Sequence, residues 1–333
     1  MDRRGATLVA VVQRYNLFTF GGMIGERSRI RVDAFAEALR RSITPGCTVL
    51  DIGTGMGFFA VLAATFGAGH VYGVDPNRSL DIARQIAAAN GVADRTTFVR
   101  GLSTGLDLPR RADVIISDIR GALPWMQTIV ASIVDARERL LAPGGTLIPG
   151  RDEVWGTLVE APELYAKYVA PWDDNAFGLD LSAARVRTTD HVAKGHVQAE
   201  NLLTEPQRIA LLDWTTITDP NTATVLEWEV PRAGTVHGLS VWFDTELVPG
   251  VGYSNAPTAP HIPIYSQMFF PFRDAVGLDP GDRVTVRFQA KLSAAARYVW
   301  SWATRVTSAS GAPKASFDQA SFATDFVVPE TDD

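Results

Sequence analysis

The chain has 333 residues, of which 46% are hydrophobic and 20% charged, and its formal net charge is −6. That length calls for two domains with room for a tail, and the balance is that of a globular protein rather than a disordered or fibrous one. A net negative charge excludes a generally basic surface, so no nucleic-acid partner is expected; no apolar run reaches 18 residues, so no membrane-spanning helix is expected either. One cysteine, Cys47, allows neither an internal disulfide nor a cysteine-based zinc cage, and no metal site is expected. The N-terminus lacks an apolar signal core followed by a small-residue cleavage site, which leads to the expectation of a cytoplasmic protein.

In chain order, residues 7–14 are a short apolar stretch that reads as helical, ahead of Tyr15. Phe18, Phe20 and the Gly21-Gly22 pair read as a loop. Residues 27–42 place Ile30, Phe35, Ala38 and Leu39 at helical spacing between arginines, an amphipathic helix that Pro45-Gly46 ends. From 48 to about 149 strands and helices alternate: strands at 48–52, 71–75, 96–100, 113–117 and 145–148, helices at 58–67, 78–90 and 126–140. Such alternation predicts a parallel sheet with right-handed crossovers, whose ligands bind at the carboxyl ends of its strands.

Past Pro149 the pattern changes. Segments 153–160, 207–217, 224–230, 235–247 and 283–292 alternate apolar and polar residues, which predicts an antiparallel β domain, sandwich or barrel. Residues 162–200 fit neither period and read as an inserted arm. The end, 307–333, is rich in Ser, Ala and Asp and reads as a partly loose tail. The expected division is therefore 1–47, a helical segment; 48–149, a Rossmann-like α/β domain; 150–306, a barrel-like β domain carrying the arm; and 307–333, the tail.

The chemistry concentrates at Val49-Leu-Asp-Ile-Gly-Thr-Gly-Met-Gly57, followed 24 positions after Asp51 by Asp75. Gly53, Gly55 and Gly57 allow a sharp turn and close approach to a ligand, and an acid at the tip of the next strand suits ribose hydroxyls. A dinucleotide site wants G-x-G-x-x-G; here the third glycine comes one residue early, so a dehydrogenase is the weakest reading. The D-x-G-x-G-x-G pattern resembles motif I of class I S-adenosylmethionine (SAM) methyltransferases, which implies SAM as cofactor and S-adenosylhomocysteine as product.

The whole layout resembles the protein arginine methyltransferases over roughly residues 15–300. Val49–Gly57 and Gly73-Val-Asp75 are similar to that family's motif I and its partner strand. Residues 89–95, 113–118, 136–139 and 143–145 follow the same pattern, the 175–182 run resembles its dimerisation arm, and 236–243 with 252–257 resemble its barrel. The resemblance implies a homodimer through the 162–200 arm. It also implies that segment 1–47 covers the cofactor, with cofactor contacts from Phe18, Arg29, Asp51, Gly53, Thr54, Gly55, Gly57, Asp75, Pro76, Leu102, Ser103 and Asp118. Arg29 is assigned to the SAM carboxylate, although Arg31 fits the spacing to Phe35 better.

The acceptor side departs from that pattern. The family holds a guanidinium with two glutamates, because a permanent planar cation needs paired carboxylates. Those positions fall on Asp118 and Gln127, one shorter and one neutral, and Arg120 between them would oppose a cation. The family's Thr-His-Trp loop falls near Pro263-Ile264-Tyr265, without its histidine. The catalytic candidates are therefore Asp118, Gln127 and Tyr15, and His237 is expected to be a satisfied structural histidine. The reading is a SAM-dependent methyltransferase acting on a nitrogen or oxygen of a small molecule or modified peptide, as in secondary metabolism. The alternatives are a protein arginine N-methyltransferase and an inactive SAM-binding scaffold.

Overall fold

A computed structural model of the chain describes residues 17–126, 129–175, 177–260, 265–293 and 297–321. The helix expected at 7–14, and with it Tyr15, Gln127 and the Pro263-Ile264 pair, lies outside the described residues. Two compact units emerge. One draws on Met1–Ile119, Ser132–Gly150 and Glu246–Tyr253, the other on Arg120–Ala131, Arg151–Thr245 and Ser254–Asp333.

The first unit begins with α1 (Leu17–Ile24) and α2 (Arg29–Ser42). The loop expected around Phe20 and Gly21-Gly22 is instead α1. Its glycines stay helical because their carbonyls find partners: Gly25 N–H donates to Gly21 O at 2.9 Å and Ser28 Oγ to Gly22 O at 2.9 Å. The buried face of α2 is Arg31, Phe35, Ala38 and Leu39, spaced by four, three and one, so an arginine shares the apolar stripe.

There follow β1 (Thr48–Ile52), α3 (Phe58–Thr65), β2 (His70–Asp75), α4 (Leu80–Ala89), β3 (Thr96–Arg100), β4 (Ala112–Ser117), α5 (Ile129–Arg139) and β5 (Leu141–Ile148). The sheet is parallel, in the order β3-β2-β1-β4-β5. All five residues of β1 are buried, as expected for a central strand covered on both faces. The order reverses between β1 and β4, and ligands of such sheets bind at that switch point. Register sets Ile52 beside both Val74 and Ser117, so the exits of β1, β2 and β4 lie together and bring Asp51, Asp75 and Asp118 to one edge. One boundary differs from expectation. β5 already pairs at Leu141 and not first at 145, and a register shift in its ladder with β4 carries the pairing past Pro143-Gly144-Gly145.

The second unit contains β6 (Arg151–Val159), α6 (Pro162–Tyr168), α7 (Ser182–Thr189), β7 (Ala193–Gly195), β8 (Gln207–Asp213), β9 (Thr222–Glu229) and most of β10 (Gly234–Val248). After the short β11 (Val251–Ser254) come β12 (Gln267–Leu278), β13 (Arg283–Leu292), β14 (Tyr298–Thr307) and β15 (Pro313–Ala320). One antiparallel sheet runs β7-β12-β10-β6-β8, with β11 on β10, and another runs β15-β14-β13-β9. They meet through Phe270, whose ring centroid lies 5.3 Å from both Phe288 and Trp302. The expected loose tail is corrected over 307–321, where 307 closes β14 and β15 pairs with β14 as an edge strand; 322–333 lie outside the described residues. Its inward residues Phe317 and Gln319 are buried, an alternation hidden by a polar composition.

Candidate cofactor and acceptor site

The turn after β1 is built from its own backbone. Gly53 N–H donates to Val74 O at 2.8 Å, and Gly57 N–H donates to Thr54 O at 2.8 Å. Gly53 has φ +75°, and a Cβ there would lie 2.2 Å from Ile119 Cγ2; Gly55 has φ +56°, and a Cβ there would lie 2.6 Å from the Phe20 ring. Both positions therefore demand glycine on two counts, conformation and space. Gly57 caps the start of α3, 2.9 Å short of Ala83 for any added Cβ.

Carboxylates close the turn. Asp51 Oδ2 accepts from Thr54 Oγ1 at 2.6 Å. Asp75 Oδ2 accepts from Gly55 N–H at 3.0 Å, and Asp75 Oδ1 accepts from both nitrogens of Asn77, at 2.8 and 2.9 Å. Asp75 is thus oriented before any ligand arrives. Burial pushes the Asp51 carboxyl up to about 7; the neighbouring charges of Asp75 and Asp118 act in the same direction and the Thr54 hydrogen bond opposes them. Three acids crowd one buried edge, an arrangement that favours a bound cation.

Arg31 supplies the opposite charge. It is fully buried, pairs with Asp118, donates to Met23 O, and lies with its guanidinium carbon 5.7 Å from the Phe59 ring centroid. Arg29, the residue assigned to the cofactor carboxylate, instead turns to solvent and bonds Asp33 at 3.3 Å. The reason is helical phase: four residues separate Arg31 from buried Phe35, whereas Arg29 falls off that face.

Of the other expected positions, Ser103 is buried and its carbonyl accepts from Arg139 at 2.8 Å, Leu102 is exposed, and the Pro76 carbonyl accepts from Arg100 at 3.3 Å. Phe18 belongs to α1, its side chain outside what the structure describes. Phe20, Ser28 and Ile119, which the sequence reading left without a role at the turn, all meet the elements around it.

The same two-part layout appears in known proteins. Residues 35–150 match the ribosomal protein L11 methyltransferase family, and residues 152–301 match the arginine methyltransferase oligomerization subdomain. The probable protein arginine N-methyltransferase 6 of Arabidopsis thaliana is 29% identical over 231 residues, 66% of this chain and 53% of that protein. Protein arginine N-methyltransferase 1 of Dictyostelium discoideum is 27% identical over 267 residues, 78% of each. The chain is arginine-methyltransferase-like in both of its parts.

Solved structures agree on the fold. The open form of Arabidopsis thaliana protein arginine methyltransferase 10 superposes with a TM-score of 0.78 at 21% identity, covering 92% of this chain and 97% of that one. The Trypanosoma brucei PRMT1 enzyme-prozyme heterotetrameric complex with AdoHcy gives 0.77 at 22%, covering 87% and 94%. The chain spans about half the length of the first curated relatives it matches, 53% and 45%. The cofactor that goes with this arginine-methyltransferase-like fold is SAM. The residues fit it: a sulfonium and an ammonium suit the Asp51 and Asp75 edge, and the Arg31–Asp118 pair offers a cation for a carboxylate.

On the acceptor side the arginine-methyltransferase-like loop after β4 contains one surprise. Arg120, expected to repel a cationic acceptor, is buried in the second unit and pairs with Asp152, so its charge is neutralised within the protein. His237 behaves as expected of a structural histidine: its Nδ1 accepts from Ala161 N–H at 3.2 Å, its ring meets Tyr165 edge-on, and burial lowers its pKa.

Proposed function

We propose that the protein is a SAM-dependent methyltransferase that acts on protein side-chain nitrogen, with arginine as its acceptor. The observation that carries this reading is the internal pairing of Arg120 with Asp152. It removes the cation that would have argued most directly against a guanidinium. The relatives named above support the same acceptor over the small-molecule role first expected from the loop.

SAM supplies a methyl group already activated on sulfur, so the chain's task is placement and proton removal. Asp51, Asp75 and the glycine turn bind and orient, and Arg31 exchanges its partner Asp118 for the cofactor carboxylate, which frees Asp118. Asp118 accepts a hydrogen bond from the acceptor nitrogen and then its proton. In the second carboxylate position the sequence carries Gln127. That substitution also favours a second reading, a neutral nitrogen or oxygen of a small molecule or modified peptide, because a neutral amide gives a cation less than a carboxylate does.

The arm supports self-association. Phe177 and Leu179 stand exposed at 86% and 61%, on a loop that Asn175 shapes by accepting from both their amides. A homodimer through this arm belongs to the proposal. So does a cytoplasmic location; among the described residues no helix is long and apolar enough to cross a membrane. Calorimetric titration with S-adenosylhomocysteine and with NAD tests the cofactor: stabilisation by NAD alone contradicts the reading. Binding of S-adenosylhomocysteine without turnover of any acceptor would leave a SAM-binding scaffold.

A further inference from the structure

The buried group around Arg120 has no counterpart in the cofactor chemistry, and it occupies the loop that carries the acceptor positions. Arg120 is 1% exposed and Asp152 fully enclosed. Arg120 Nη1 donates to Asp152 Oδ1 and, at 2.7 Å, to Thr245 Oγ1 on β10. The other carboxylate oxygen, Asp152 Oδ2, accepts from Trp214 Nε1 at 2.9 Å. The guanidinium carbon stands 4.8 Å from the centroid of the Phe243 ring. Residues from β6 and β10 therefore converge on Arg120, and Trp214, just beyond β8, holds its partner Asp152.

Such a pair is a poor device for stability alone, since a well-packed apolar trio of similar volume often does as well or better. What it does specify is geometry: the bonds to Asp152 and Thr245 and the Phe243 ring each constrain the guanidinium. Five residues on, Trp125 forms a second anchor, 1% exposed and 5.9 Å from Trp300 and 6.4 Å from Phe288. Segment 120–125 is thus tied at both ends inside the antiparallel unit, and it follows Asp118 directly in the chain.

We propose that Arg120 is a positioning residue that presents the acceptor loop in a fixed conformation, so that this loop receives its substrate preformed and does not close over it as a lid. The proposal rests on the methyl-transfer reading. Arg120→Met alone strands a buried carboxylate and tests only folding, so the informative variant is Arg120→Met with Asp152→Asn, which removes both charges and leaves Trp214 an acceptor. Three quantities are read on the full chain: amide hydrogen exchange across 120–126, affinity for S-adenosylhomocysteine, and kcat and KM for an arginine-containing peptide acceptor.

The expected result is exchange faster by about tenfold or more, cofactor affinity within about twofold of wild type, and acceptor KM raised about tenfold or more. Unchanged exchange overturns the proposal. So does faster exchange with KM unmoved, and so does a lowered kcat at constant KM, which a merely structural role would give. Absence of turnover by the wild type would sink the methyl-transfer reading instead, and the exchange profile would still decide whether Arg120 holds the loop.

Discussion

The turn after β1 and the loop after β4 leave neighbouring strands of one sheet, yet they are held by opposite means. The turn is tied within its own short stretch of chain: Asp51 bonds Thr54 three residues on, and Asp75 at the end of the next strand bonds Gly55 across 20 positions. The loop is tied at long range: Asp118 to Arg31 across 87 positions, Arg120 to Asp152 across 32 and to Thr245 across 125. Locally tied geometry writes a motif into the sequence. Geometry tied at long range does not, and its residues look like loose charges until the fold brings their partners.

The comparison breaks hardest at the turn. Gly53→Ala is expected to abolish S-adenosylhomocysteine binding, because φ +75° and a 2.2 Å approach to Ile119 cannot both be relieved. Titration calorimetry checks it, and affinity within tenfold of wild type would mean that the turn is softer than the structure indicates.

Next comes the long-range pair. Arg31→Leu leaves Asp118 buried without its cation and should destabilise the protein by about 3–5 kcal/mol in chemical denaturation. Arg29→Ala, two residues away but at an exposed pair, should change stability by less than about 0.5 kcal/mol. Equal effects would remove the distinction between the two arginines.

A subtler test uses pH. Asp51 titrates near 3.8 when unfolded and at about 7 in the fold, so the folded state binds more protons between those values. Stability without cofactor should be greatest near pH 4 as far as this group is concerned, and decline as pH rises through about 7. Asp51→Asn should flatten that decline in thermal melts, and a slope unchanged by the substitution would assign it to other groups. The smallest effect on stability is expected at the arm. Phe177→Ser with Leu179→Ser should leave the melting temperature of the monomer nearly unchanged while shifting light scattering from dimer to monomer mass.

The same physical division explains what could be read in advance. The five parallel strands, the glycine turn and Asp75 were legible because burial on both faces and a tight turn restrict residue type at each position. Arg31 was half legible, through its spacing to Phe35. Arg120 misled, because a charge in a loop reads as a charge for the substrate unless Asp152 is known to face it. β12 hides its period behind a run of buried positions interrupted by Pro271, and β15 hides its own behind Ser, Asp and Gln.

The most direct test of the account is to incubate the protein with methyl-labelled SAM and arginine-containing protein substrates, then to analyse the acid hydrolysate by mass spectrometry. Methylarginine formed in step with S-adenosylhomocysteine is the predicted result. Label on a small molecule or on residues other than arginine, with none on arginine, would contradict it.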